Sequence, residues 1–259
     1  MQAFSAMRQR IPIRNFVLAL LCFLGAAGMG GAQAQAAAPE SPDSAGANAP
    51  LKIGIIGTGR IGGTLARYWA RAGHEVFVSS RHPEELQSLV KELGPRAHAG
   101  TPLQAAEFGT VVLISVPYSA MPELERDVSA ALAGKVIIDT SNPVSGRDGA
   151  VAQPAQKLGA GLATAQYLHN RRIVRAFNCI PAATLASESN RQPERIAIPI
   201  GGDDTVALNI AMQLVRETGF DPVVVGSLAR TRLFDLGQPL AHGDLTANEL
   251  RRRLEQLRP

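Results

Sequence analysis

A glycine loop set between an apolar run and a helical pattern constrains this chain more than any other stretch. Leu51-Lys52-Ile53-Gly54-Ile55-Ile56 is short, apolar and β-branched, as a strand buried on both faces of a parallel sheet must be. It runs into Gly57-Thr58-Gly59-Arg60-Ile61-Gly62. A helical pattern follows over Thr64 to Ala72 and closes at Gly73. Strand, glycine loop and helix in this order are what a dinucleotide-binding unit requires. Gly57 permits the tight turn, Gly59 lets the backbone approach a pyrophosphate, and Gly62 lets the helix pack closely on the strand. The free N–H groups and positive dipole end of the helix then face the phosphates. The bland alternative is a glycine-rich turn in another α/β protein; the flanking strand and helix weigh against it.

The first residues do not belong to that fold. Arg8, Arg10 and Arg14 form a basic region, Phe16 to Leu24 is an uncharged apolar core, and Ala32-Gln33-Ala34 and Ala34-Gln35-Ala36 are small-x-small cleavage sites. This is the pattern of a secretory signal peptide over residues 1–36, with a membrane anchor as the alternative. The apolar run is short for a membrane span, so no stable span is expected after cleavage. Residues 37–50 are rich in Ala, Pro, Ser and Gly and read as a disordered linker. Residues 51–259 are then the folded domain. The expected location is periplasmic or secreted, with the cytoplasm as the alternative. The leader holds three arginines and no acidic residue, so 23 basic side chains face 22 acidic ones in the rest of the chain. That balance carries no basic stripe for nucleic acid. Cys179 is the only cysteine past the leader, which excludes an intrachain disulfide, and no Cys/His spacing suggests a metal.

Beyond the first helix, Glu75 to Ser79 reads as the second strand. A site specific for NAD usually places Asp or Glu at this strand's end, on the ribose 2′-hydroxyl. Here the end reads Ser79-Ser80-Arg81-His82. Hydroxyls and a guanidinium suit a 2′-phosphate, which a carboxylate would repel, so NADP(H) is expected. The alternative is that Arg81 is a solvated charge and either nucleotide is accepted. A helix is expected over Pro83 to Leu93, a short strand at Arg96 to Ala99, and a small helix opening at Thr101. Thr110 to Pro117 reads as the fourth strand, whose end, Val116-Pro117, falls where open α/β sheets bind ligands. A crossover helix is expected over Tyr118 to Leu132 and a fifth strand over Lys135 to Thr140. Asn142, in the loop that follows, suits a hydrogen bond to a cofactor ribose or carboxamide, and suits equally a cap on the turn before Pro143. Residues 147–170 read as polar and partly helical. Strands are expected at Val174 to Asn178, Ile196 to Gly202 and Val223 to Val225, and a helix starting at Cys179. Asp203 or Asp204 caps a helix over Thr205 to Thr218. Thr246-Ala247-Asn248-Glu249 is a capping box for an amphipathic terminal helix carrying Leu250, Leu254 and Leu257. The whole is an α/β fold of Rossmann type: a doubly wound, mostly parallel sheet with extra C-terminal strands and helices.

Gly57 to Gly62, Ser80-Arg81, Val116-Pro117, Ala176-Phe177-Asn178-Cys179-Ile180-Pro181-Ala182 and Gly202-Asp203-Asp204 together resemble the NADPH-dependent F420 (deazaflavin) reductase family. The oxidoreductase domain of the STEAP metalloreductases and the N-terminal domain of pyrroline-5-carboxylate reductase are similar too. The likeness spans about residues 51–240. Pyrroline-5-carboxylate reductases continue into a long helical dimerisation domain, for which this chain is too short. The resemblance implies that Thr58 to Ile61 and Ser80-Arg81 hold NADP, that Val116 and Pro117 lie against the nicotinamide, and that the turn Asn178 to Pro181 lies near a second ring. Glu85 stands where some members carry a basic residue, and Asn178 where F420-dependent members often carry His. The implied acceptor is a deazaflavin (F420), a flavin or a metal chelate, and a homodimer stays open.

Hydride transfer between two rings needs orientation and a dry contact more than acid–base help. The lack of a triad, metal cluster or paired carboxylates agrees with that, and no catalytic residue is assigned. His169, His242, Tyr118 and Tyr167 are the candidate proton donors, each read more readily as structural. Cys179, in the turn that matches the family, is a candidate substrate contact and is read more readily as a buried inert thiol. Set against the oxidoreductase reading is an exported, non-catalytic NADP-binding or scaffold protein. The leader favours it, since free NADPH is not expected outside the cytoplasm and Arg8-Gln9-Arg10 lacks the adjacent pair of a twin-arginine signal.

Overall fold

A computed structural model describes residues 49–170 and 172–257. The segment expected to be a signal peptide, and all but the last two residues of the expected linker, lie outside them. The first half of the domain is β1 (Lys52–Ile56), α1 (Arg60–Arg71), β2 (Glu75–Ser79), α2 (Gln87–Leu93), β3 (Ala97–Gly100), α3 (Pro102–Phe108), β4 (Val111–Ile114), α4 (Met121–Val128) and β5 (Val136–Asp139). Then come α5 (Ser145–Asp148), α6 (Gln153–Leu158), α7 (Ala160–Leu168), β6 (Ile173–Arg175), α8 (Ala182–Ser187), β7 (Ala197–Gly202), α9 (Thr205–Glu217), β8 (Asp221–Gly226) and α10 (Ala247–Gln256).

The eight strands form one sheet in the order β3-β2-β1-β4-β5-β6-β7-β8. Every neighbouring pair is parallel except β6 and β7. The chain winds outward from β1 to β3, then crosses back to β4, so the strand order reverses between β1 and β4. That switch point opens a crevice at the carboxyl ends of the two strands. Ile53, Ile55, Leu113 and Ile138 pack into a core with Leu65 and Trp69 of α1 and Leu214 of α9. On the other face Ile56, Val112, Ile114 and Ile137 pack with Met121, Leu124 and Ala163. β4 and β5 are buried along their whole length, which is why they read as unbroken apolar runs. A third core of Val223, Val225, Phe234, Leu240 and Leu250 seats the C-terminal addition, with Leu254 and Leu257 against it. No helix among the described residues is long and apolar enough to cross a membrane.

Several boundaries differ from the sequence reading, for identifiable reasons. α1 begins at Arg60 rather than Thr64, with Gly59 as its cap. Gly62 and Gly63 are buried inside it, so close packing offsets a helix penalty of about 1 kcal/mol for each glycine. The helices expected over 83–93 and 118–132 break into 3-10 turns at Pro83–Leu86, Tyr118–Ala120 and Ser129–Leu132 around shorter α-helices. α7 is not a polar segment: Ala160, Gly161, Ala163, Thr164 and Leu168 are buried, small residues with little apolar signal but close fit. β6 ends at Arg175, because Phe177 has φ +59°, which no strand tolerates. The helix expected from Cys179 starts at Ala182. Asp204 is the cap of α9, accepting from the Ala207 N–H at 2.7 Å, while Asp203 accepts from the Leu228 N–H. The capping box Thr246/Glu249 is present on α10 as expected.

Candidate dinucleotide-binding site

The crevice at the switch point is a cleft of about 590 Å³. Its walls include Gly57, Thr58 and Gly59 after β1, Ser79, Ser80 and Arg81 at the end of β2, and Val116 and Pro117 after β4. Eight of the thirteen expected cofactor-binding residues therefore meet in one place. Its size falls within the usual range for a cofactor cleft.

The three loop glycines have different reasons for being glycine. Gly57 has φ +95°, and a Cβ there would strike the Ser115 carbonyl and Val116. A Cβ on Gly62 would run into the Gly57 carbonyl oxygen. Gly59, by contrast, has φ −66°, which any residue adopts, and a Cβ there would meet nothing within 4 Å. No described atom stands near a Cβ at 59, so that position is open to whatever occupies the cleft. The start of α1 fits the same occupant: no side chain caps it and no acidic residue stands in its first turn, so its leading N–H groups are free for an anion.

At the end of β2 the three polar residues divide. Ser79 is fully buried and its hydroxyl donates to the Ile55 carbonyl at 2.8 Å, tying β2 to β1. Ser80 is half-buried and accepts from the His82 N–H at 3.1 Å. Arg81 is exposed and makes no ion pair among the described residues. Ser80 and Arg81 are thus the pair available to a 2′-phosphate. Glu85 and Glu123 line the cleft as well, and only the first was singled out from sequence. The sequence reading also missed Ser115, Ser119, Ala120 and Leu124 as lining residues. Their signal was position alone, in the two turns that follow β4.

Five expected residues do not line the cleft. Arg60 is exposed at the start of α1, Ile61 packs against the core, and Gly62 is the contact between helix and loop. Asn142 donates through Nδ2 to the Asn178 carbonyl at 2.6 Å. Asn178 is buried and donates through Nδ2 to the Phe234 carbonyl at 2.9 Å. Both amides join rim loops to one another. The neighbouring charges are buried too. Arg175 reaches Asp139 at 2.9 Å and Asp235 at 3.0 Å, with both Arg175 and Asp139 fully buried.

The candidate proton donors fall away from the cleft. Tyr118 is buried against Thr164, and burial pushes its phenol up, beyond use near neutral pH. Tyr167 packs edge-on to Tyr118, His169 pairs with Glu125 on the surface, and His242 is exposed on the C-terminal segment. Burial pushes the Cys179 thiol up to about 12, so it is inert as expected. No group of three metal-ligating side chains occurs among the described residues.

Comparison with known proteins places this architecture. Residues 52–143 match the family described as NADP oxidoreductase, coenzyme F420-dependent. The chain is 31% identical to the F420-dependent NADP reductase of Methanothermobacter marburgensis, over 73% of this chain and 90% of that one. It is 29% identical to the rat metalloreductase STEAP3 over 70% of this chain, but spans only 35% of that protein's length. Among solved structures, a hypothetical protein from Sinorhizobium meliloti superposes with a TM-score of 0.63 at 25% identity, covering 76% of this chain and 95% of that one.

Proposed function

This chain belongs to the family of coenzyme F420-dependent NADP oxidoreductases, and we propose on that premise that it moves a hydride between NADP(H) and a small-molecule acceptor: a deazaflavin of the F420 type, a flavin or a ferric chelate. One observation carries this reading. The glycine loop and the Ser80–Arg81 pair form one side of a single cleft whose other side is Val116 and Pro117. Gly57 and Gly62 shape the loop, the open space at Gly59 and the uncapped start of α1 receive the pyrophosphate, and Ser80 and Arg81 bind the 2′-phosphate. Val116 and Pro117 offer an apolar wall that orients a flat ring and excludes water from one face of it. When bound, NADPH supplies the hydride. Among the described residues the acids that line the cleft, Glu85 and Glu123, are exposed.

The test is NADPH oxidation by the purified protein with F420, FMN, FAD and ferric citrate offered separately. Turnover with one of these identifies the acceptor class. Tight NADPH binding without turnover on any of them would remove the hydride-transfer reading to these acceptors. The leader supports a location outside the cytoplasmic membrane, and fractionation with N-terminal sequencing tests it. A mature terminus near Ala36 or Ala37 is expected; an intact Met1 in the cytoplasmic fraction would sink the export reading.

A further inference from the structure

Asp148 lies outside the cleft, yet two loops of the site's rim converge on its carboxylate. Oδ1 accepts from the Ser119 N–H at 3.0 Å, and Ser119 is part of the cleft wall. Oδ2 accepts from the Val144 N–H at 2.8 Å, in the loop that follows β5. Arg147 closes the arrangement bidentately, with Nε to Oδ1 at 2.9 Å and Nη2 to Oδ2 at 2.8 Å. The same Nη2 donates to the Asn142 carbonyl at 2.7 Å. The Asp148 side chain is fully buried, whereas that of Arg147 is half exposed.

The Ser119–Asp148 bond joins segments that secondary structure leaves independent, while the Val144, Arg147 and Asn142 bonds fasten the loop after β5 on itself. The chain after β4 and the chain after β5 leave the sheet as separate irregular loops, and irregular loops hold a position only as well as their hydrogen bonds do. Among the described residues Asp148 is the single side chain that bonds to both. From Asn142 the linkage continues through Asn178 to Phe234, so the rim after β6 is tied in as well. The loop after β2, with Ser80 and Arg81, lies on the other side of β1 and receives no bond from this set.

We propose that Asp148, braced by Arg147, is a positioning residue that fixes the wall of the cleft serving the nicotinamide half of the cofactor, while leaving the adenosine half untouched. The inference rests on the cofactor-site reading given above. Arg147, together with the Val144 and Ser119 N–H groups, holds the Asp148 carboxyl well below the usual carboxylate range despite its burial. The clamp is therefore ionised throughout the neutral range and is lost only in strong acid.

Two probes separate the halves of the site. NADPH spans the whole cleft, and adenosine 2′,5′-bisphosphate occupies only the adenosine half. Both are titrated by calorimetry against the full-length wild type, Asp148→Ala, Asp148→Asn and Arg147→Ala. Asp148→Ala is expected to bind NADPH about tenfold more weakly or worse, since small displacements of positioning groups have effects of that order, and to bind the bisphosphate like the wild type. Asp148→Asn keeps an acceptor oxygen and should recover part of the NADPH loss. Should Asp148→Ala fail to fold, Arg147→Ala carries the test, because its half-exposed side chain leaves the core intact; it too should weaken NADPH and spare the bisphosphate. Equal losses for both probes, or no loss for either, overturn the clamp. A wild type that binds neither probe overturns the cofactor site itself, and the clamp with it.

Discussion

The loops after β1 and β2 and the loops after β5 and β6 leave the same rim of the sheet, but they are held in place by different means. In the first pair the side-chain bonds are few: Thr58 to the Ser79 carbonyl at 3.3 Å, the Ser79 hydroxyl to Ile55, and His82 N–H to Ser80. Arg81 and the start of α1 carry positive charge with no ion-pair partner among the described residues. In the second pair the charges are matched, through Arg147–Asp148 and Asp139–Arg175–Asp235, and the chain Asn142–Asn178–Phe234 links the loops, while Asn142 Oδ1, Asn178 Oδ1 and Arg175 Nε stay buried without a partner among the described residues. Unpaired charge is affordable where water or a ligand reaches it; a buried charge persists only with partners. The first wall is therefore completed by what binds to it and the second by the protein. Substitutions in the first should register as binding alone, and substitutions in the second as stability, with binding lost only where they release the nicotinamide wall that Asp148 holds.

Gly59→Val is the sharpest test of the first half of that statement. The added side chain meets no protein atom, and the backbone angle suits any residue, so thermal unfolding should move little. It fills the space the pyrophosphate needs, so NADPH affinity should fall by about a hundredfold or more. A folded variant that keeps its affinity would take the glycine loop out of the site. Arg175→Met tests the second half. It strands the buried Asp139 carboxylate beside an apolar side chain, and breaking a buried pair in this way costs about 3–5 kcal/mol. Denaturant unfolding should show that loss. A change below about 1 kcal/mol would mean that Ser141, which donates to Asp139 through both its N–H and its hydroxyl, satisfies the carboxylate alone.

The same division explains what could be read from the sequence. The first wall follows from local rules: glycines at fixed offsets, a strand before them, a helix after them, and a basic residue where an acid would mark NAD. Each of these is a statement about neighbours in the chain, and Gly57, Thr58, Gly59, Ser80 and Arg81 meet in the cleft as those rules require. The apolar runs of β4 and β5 are legible for the same reason. Apart from the Arg147–Asp148 clamp, the second wall is made of contacts between residues 36 to 60 positions apart, such as Arg175 with Asp139 and Asp235, and Asn178 with Phe234. No periodicity or spacing encodes those pairings. Asn142 and Asn178 read as residues for a ligand because an Asn on a rim is chemically able to serve one; the fold uses their Nδ2 groups on its own carbonyls and leaves both Oδ1 atoms buried without a partner among the described residues. Phe177 shows the limit again. Nothing in Val174 to Asn178 announces a left-handed residue, yet Phe177 is one, with its ring edge-on to Trp69.

Within the first wall the two nucleotides should part at Arg81. Arg81→Ala removes a charged donor from an exposed position, so stability should be unchanged. NADPH should bind more weakly by about 1.5–3 kcal/mol, the range for a hydrogen bond to a charged group, with NADH nearly unaffected. Isothermal titration with both nucleotides measures this. Equal losses would show that Arg81 does not read the 2′-phosphate.

The smallest expected effect has the opposite sign. Glu85 lines the same cleft as Arg81 and sits exposed in the 3-10 turn before α2. A carboxylate there repels a bound phosphate, and between solvated charges a few ångströms apart that repulsion is worth about 1 kcal/mol at most. Glu85→Gln removes the charge and keeps the shape, so NADPH should bind more tightly by roughly 0.3–1 kcal/mol at low salt. The gain should shrink as salt is raised, because screening already weakens the repulsion in the wild type. NADH lacks the 2′-phosphate and should gain less. The ratio of NADPH to NADH affinity at two salt concentrations therefore isolates the effect from any general loosening of the turn. A gain that is equal for both nucleotides would place Glu85 near the pyrophosphate instead. No gain at low salt would mean that the Glu85 carboxylate points away from the cleft when the nucleotide is bound, and that Arg81 and Ser80 set the selectivity alone.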